Sequence, residues 1–327
     1  MDVHLITDAE VSQCAVEDLP ELLERRDGLV WVDIPRVDRE AAQVLAVVFK
    51  FHPLAIQDCE NRNHVPKVHV YPDHVFTALH SPELGKGGHV HHLEIDQFVG
   101  RGYLVTVHGP LDPAVPAEAA LRETGAVRKR VESGRLRVSS SFELSYAIVS
   151  AVARHQESFV ATLAQEAGLL EQRLMGDEIP DPEEFLEELF RARHELLVVR
   201  TMATLSREIY GRMVSLERFV PGASQALVAD LADQFARVSG MADGQKEFLY
   251  GVIEFYQTRT NTKMTIAAER LAVIAAVTLP ITALSSVYGM NLIVNDQTHV
   301  VQLAVVLVVM IAMSLILLRW TKRQGWW

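Results

Sequence analysis

Cysteine is nearly missing: Cys14 and Cys59 are the only two in 327 residues, too few for a disulfide framework and in keeping with a reducing compartment. An excess of basic residues is missing as well. The net charge is −11, and because the stretch from Leu271 onward holds three basic residues and one acidic one, Met1–Arg270 carries −13. So acidic a body argues against nucleic acid or anionic lipid as the main partner and favours cations. The opening, MDVHLITDAEV, has neither the basic nor the apolar region of a secretory leader, so the body is expected to stay in the cytosol. Nothing resembles a phosphate-cradling loop, which leaves no sign of ATP-driven chemistry.

Charge is missing from two long runs. Leu271–Met290 has no charged residue, and in Val300–Leu318 only Gln302 and Ser314 are clearly polar. Each run is about 20 residues, the length that crosses about 30 Å of hydrocarbon at 1.5 Å per residue. Neither shows the polar stripe of a soluble core helix. Two membrane helices joined by a short loop are expected. Arg319, Lys322 and Arg323 follow the second run, whereas the loop Asn291–His299 carries only Asp296 among fixed charges. The basic tail should therefore lie on the cytosolic side, and two spans place the N-terminal body there too. Trp320, Trp326 and Trp327 suit anchors at headgroup level.

Ahead of these runs the chain has two characters. Up to about residue 137 it reads as mixed α/β, with strands expected at Gly28–Ile34, Pro66–Tyr71, His74–His80, His92–Gly100 and Tyr103–His108, and a helix at Asp38–Phe51. From 138 to 223 it reads as long antiparallel helices, Ser139–Met175 and Pro182–Val214, around a proline-bearing turn. A third helix, 224–290, meets no proline until Pro280 and would run about 100 Å into the first span. Its residues Leu231, Phe235, Val238, Ala242, Leu249, Val252 and Tyr256, with Gln245, form a seam of three- and four-residue steps, which invites a neighbouring copy of the same helix. Residues 291–299 would form an extracytoplasmic loop, 300–319 the second span and 320–327 the basic tail.

Together these residues resemble a known family. The ending LPITALSSVYGMN (Leu279–Asn291), the long preceding helix and the stretch HPLAIQDCENRNHVPKVHVYPDH (His52–His74) are similar to the CorA family of magnesium and cobalt transport proteins, with Gln57 where that family usually has Glu. The resemblance implies a membrane-embedded homopentamer, funnel-shaped, in which the first spans line a pore and Mg²⁺ is both cargo and regulator. Co²⁺ or Zn²⁺ are alternative cargoes. It also implies that Gly289, Met290 and Asn291 form the outer filter.

That assignment makes chemical sense. Mg²⁺ sheds its six waters reluctantly, so a fast pathway should hold the hydrated ion through water-to-carbonyl hydrogen bonds instead of gripping it with carboxylates. The amide oxygen of Asn291 can accept such bonds, and Gly289 removes a side chain where the backbone must come close. Thr282, Leu279, Ala275, Leu271, Ala268 and Thr265 lie on one helical face, which by resemblance lines the pore. Asp230, 59 positions before Gly289, falls where the family places an aspartate that binds regulatory magnesium between protomers. Asp233 would assist, and Glu254 would stand near the cytosolic entrance.

A rival reading lies in HVHHLEID, His89–Asp96. His89, His91 and His92, with His80 and His108 elsewhere, offer zinc or cobalt ligands, either for an accessory site or for a membrane-anchored metallohydrolase. A two-span sensor with no pore is a third reading. The loop after Asn291 lacks the acidic Met-Pro-Glu-Leu stretch common in the family and leaves Asp296 and His299 as its ionisable groups.

Overall fold

A computed structural model describes residues 1–7, 10–176, 181–216, 220–289 and 300–323. They divide into two compact units, Met1–Tyr250 and Gly251–Trp327.

The first unit is built on a seven-stranded sheet made of β1 (Asp2–Ile6), β2 (Val11–Cys14), β3 (Leu29–Ile34), β4 (Lys67–Val70), β5 (His74–Leu84), β6 (Val90–Gly100) and β7 (Tyr103–His108), in the spatial order β2-β1-β3-β7-β6-β5-β4. All neighbours are antiparallel except β3 and β7, which run parallel with Asp33 beside Thr106. The hairpin between β6 and β7 depends on two glycines. Gly102 has φ +83°, a conformation costly for any residue with a Cβ, and a Cβ on Gly100 would stand 2.1 Å from the Tyr103 ring that folds over it.

Both faces of the sheet are covered, which is why a strand such as LVWVDI is buried at every position. On one face Val3, Leu5, Val30, Val32, Phe76 and Phe98 pack against α1 (Leu19–Glu24), α2 (Arg39–Gln43) and α3 (Pro53–Glu60). On the other, Leu29, Trp31, Val99 and Leu104 meet α5 (Arg122–Glu132) and α6 (Ser141–Met175), while the short α4 (Ala117–Ala120) covers Leu93. A buried polar chain crosses this second face. The Trp31 indole donates to Thr106 Oγ1 at 3.0 Å, Thr106 donates to Asp33 Oδ1 at 2.6 Å, and His108 Nε2 lies 3.0 Å from the same oxygen. Burial alone would raise the Asp33 carboxyl, but the hydrogen bonds from His108 and Thr106 outweigh it and hold the group below its ordinary range.

Long helices complete the unit. α6 begins at Ser140, whose side chain accepts from the Glu143 amide, while Glu143 accepts from the Ser139 amide at 2.7 Å. α7 (Pro182–Val214) begins with Pro182 behind Asp181, which caps the amides of Glu183 and Glu184. α8 is Gly222–Gly289. Within the first unit it packs on α7 through Thr204–Ser239 at 2.9 Å, Arg200–Asp243 at 2.6 Å, Arg193–Tyr250 at 2.8 Å and the stacked rings of Tyr210 and Phe235. As the α7 number falls the α8 number rises, so the two helices are antiparallel.

This packing corrects one expectation. Leu231, Phe235, Val238, Ala242 and Leu249 are buried within the single chain, so this part of the seam is filled by the chain's own helices and gives no argument for a second copy. A three-four spacing is what a helix needs to bury a face against any partner. Other differences are smaller. β1 and β2 were not anticipated, and β5 and β6 are each longer than expected, at 11 residues. The helix expected at Asp38–Phe51 is interrupted: after α2 a wider π turn, Val44–Val48, lets Val44, Leu45 and Phe49 all face the core, and Lys50 ends it at φ 55°.

In the second unit, α8 continues from Gly251 to Gly289 with Pro280 inside it, and α9 (Val300–Arg323) follows. Both contain windows long and apolar enough to cross a membrane, of mean hydropathy 1.7 and 2.3, and only 6% of each window is buried. These are the two expected spans.

Candidate cation pathway and sensing site

Gly289 is the last described residue of α8, and Met290 and Asn291 follow it in sequence. Those two residues lie outside the described part of the structure. Below them, Thr282, Leu279, Ala275, Leu271, Ala268 and Thr265 are all exposed on the single chain, with Leu271 and Leu279 each at 66%. Ile274 on a different face of the helix is also 58% exposed; spacing, not exposure, defines the face. The hydroxyls of Thr265 and Thr282 donate to the carbonyls of Asn261 and Thr278, at 2.9 and 2.8 Å. Glu254 is exposed.

Asp230 is partly exposed on α8 and its partners are now visible. The Tyr146 hydroxyl of α6 donates to its Oδ2 at 2.7 Å, and Gln234 Nε2, one turn on, donates to the same oxygen at 2.6 Å. Gln234 also reaches Ser150 Oγ at 3.1 Å and Tyr146 OH at 3.4 Å. The hydrogen bonds from Tyr146 and then Gln234 hold the Asp230 carboxyl below its ordinary range, and the same contact pushes the Tyr146 phenol up. Asp233 is exposed. Sequence reasoning singled out Asp230 but not Tyr146 and Ser150, which sit 84 residues away from their partners on another helix. Only the four-residue step to Gln234 was a local signal.

The histidines do not form the set expected of them. His89 precedes β6; His91 Nδ1 is 2.8 Å from Asp112 Oδ2; and the His92 ring lies edge-on to His80, 5.5 Å away. Adjacent residues of a strand point to opposite faces, so His91 and His92 diverge. Among the described residues no three His, Cys, Asp or Glu side chains are placed to hold a metal. His108 is engaged with Asp33 in the core.

A long helix with an uncharged run of membrane length, a second apolar helix and an acidic α/β body are thus joined in one chain. A family model described as CorA-like Mg2+ transporter protein matches residues 26–323. The chain belongs to this family. As a CorA-like protein it is a divalent metal ion transporter and not an enzyme, which displaces the metallohydrolase reading. It is similar to YfjQ of Bacillus subtilis, at 25% identity over 90% of this chain and 89% of the relative. It is also similar to the cobalt/magnesium transport protein CorA of Thermotoga maritima, at 23% identity over 97% and 89%. In fold it is similar to the complete structure of the CorA magnesium transporter from Methanocaldococcus jannaschii, with a TM-score of 0.82, 15% identity and coverage of 100% and 99%.

Proposed function

We propose that this CorA-like chain assembles as a homopentamer and conducts Mg²⁺ into the cell, with both termini cytosolic and the five Asn291 side chains ringing the outer mouth. One observation carries the reading: the uncharged run Leu271–Met290, of membrane length and helical as far as it is described, is followed at once by Asn291. Five neutral amide oxygens accept hydrogen bonds from the waters of a hydrated cation without stripping them, which suits an ion that dehydrates slowly. Thr282, Leu279, Ala275, Leu271, Ala268 and Thr265 line the lane below. Potential supplies the drive, since a divalent ion moving inward gains about 4.6 kcal/mol per 100 mV, twice the value for one charge.

Asp230, with Asp233, senses intracellular Mg²⁺. The residues fit such an ion: carboxylate oxygens are the hard donors magnesium prefers, and among the described residues no hydrogen bond falls on Asp230 Oδ1. Magnesium bound there favours the closed arrangement, and its loss releases it.

Transport of zinc, cobalt or nickel is the second reading, favoured by a loop whose ionisable groups are Asp296 and His299 in place of the acidic stretch usual in the family. Reconstitution in liposomes under an imposed potential, comparing Mg²⁺, Co²⁺, Ni²⁺ and Zn²⁺, tests both. Mg²⁺ flux should exceed the others, and Asn291→Ala should reduce it at least about tenfold while leaving the oligomer intact, the loss of one transition-state contact worth about 1.4 kcal/mol. Equal flux in wild type and Asn291→Ala removes the filter; preference for Zn²⁺ selects the second reading.

A further inference from the structure

Asp230 is held by an arrangement more specific than a surface carboxylate requires. Two donors, Tyr146 OH and Gln234 Nε2, converge on Oδ2 at 2.7 and 2.6 Å, and the hydrogen-bond directions are unambiguous. An ionised carboxylate only accepts, so the phenol must donate, and the Gln234 amide must present its nitrogen. The same nitrogen reaches the phenol oxygen at 3.4 Å and Ser150 Oγ at 3.1 Å, closing a ring of contacts among Tyr146, Asp230 and Gln234. One carboxylate oxygen therefore accepts twice, and among the described residues no hydrogen bond falls on the other.

Tyr146 is itself fixed. Its neighbour Ser145 donates to Gln97 Oε1 of β6 at 2.6 Å, and Ser141 donates to the Gly100 carbonyl at 2.6 Å. α6 is thus tied to the sheet at two points just before the phenol, and the orientation of Asp230 on α8 is set by a side chain anchored in the α/β domain.

We infer that Tyr146 is a positioning residue for the magnesium-sensing carboxylate, holding Asp230 so that Oδ1 faces the ion; this rests on the reading of Asp230 as the sensor. Groups that hydrogen-bond a metal ligand fix its direction, and their removal commonly weakens binding by about 10- to 100-fold. Tyr146→Phe keeps the ring and deletes only the donor.

The test uses full-length protein in detergent and reads the Mg²⁺ concentration that gives half of the maximal thermal stabilisation, together with the Mg²⁺ concentration that halves flux in liposomes. Tyr146→Phe should raise both about tenfold while melting within a few degrees of wild type when no Mg²⁺ is present. Gln234→Met should shift them in the same direction. Asp230→Ala separates the failures. If Asp230→Ala keeps the wild-type response to Mg²⁺, the sensor reading fails and the role of Tyr146 falls with it. If Asp230→Ala loses the response but Tyr146→Phe retains the wild-type midpoints, the sensor stands and the positioning role is overturned. Midpoints that fall in Tyr146→Phe also overturn it, because the phenol would then compete with the ion.

Discussion

Two stretches of α8 both carry large apolar side chains and place them differently. Leu231, Phe235, Val238 and Leu249 are at most 2% exposed, whereas Leu271, Ile274 and Leu279 are 58–66% exposed. The first stretch finds its partners in its own chain; the second does not, and requires lipid or further copies to cover it. Helical periodicity says that a face is to be buried, and leaves open whether the burial is inside the chain, between chains or in a bilayer.

Alanine substitutions sharpen that contrast most. Phe235→Ala should destabilise the first unit by about 3–5 kcal/mol, the usual loss for a buried aromatic side chain. Leu279→Ala should leave the unfolding midpoint of the α/β domain unmoved and alter ion flux. Denaturant unfolding followed by circular dichroism reads both, and equal destabilisation by the two would erase the distinction drawn here.

Next in size is Asp33→Ala, which removes one side of a buried pair and leaves His108 Nε2 with the longer contact to Thr124 at 3.2 Å and the Thr106 hydroxyl with the Val32 carbonyl at 3.4 Å. About 3 kcal/mol should be lost, with no change in the ion selectivity measured in liposomes. A selectivity change would mean that this polar chain in the sheet acts on the pathway.

The smallest effect concerns pH. Glu195 on α7 is buried, and burial first, then the negative charge of Glu166, push its carboxyl up to about 7. The folded chain therefore holds this proton more tightly than the unfolded one. Its contribution is fully present below the unfolded value of 4.5 and fades as pH rises towards 7. Stability should fall over that window and level off above it, and Glu195→Gln should flatten the slope and add on the order of 2 kcal/mol above pH 7. A slope that persists in Glu195→Gln assigns it to another group.

The parts of this fold legible in the sequence are those encoded locally. Ser140 with Glu143, and Asp181 with Pro182, mark helix starts within four residues, the glycine turn before Tyr103 announces a hairpin, and charge-free length announces the spans. What was not legible depends on distant partners. Nothing near Asp230 in sequence names Tyr146, and nothing in the seam names α7. The histidines misled for the same reason: three in four residues look like ligands, but the pleat separates His91 from His92 and Asp112 claims one of them. Family resemblance pointed to Gly289–Asn291 and to Asp230, which periodicity alone would not have singled out.

The threonine hydroxyls of α8 carry a consequence of their own. Thr265 and Thr282 each spend their proton on a carbonyl of the same helix, and what remains on those oxygens is lone pairs. Wherever that face meets water it can take hydrogens and offer none. A chloride ion would find no hydroxyl proton to bind at either threonine, while the shell of a hydrated metal, which shows its hydrogens outward, would find acceptors at both. Discrimination by sign can thus be built without placing one formal charge inside the bilayer.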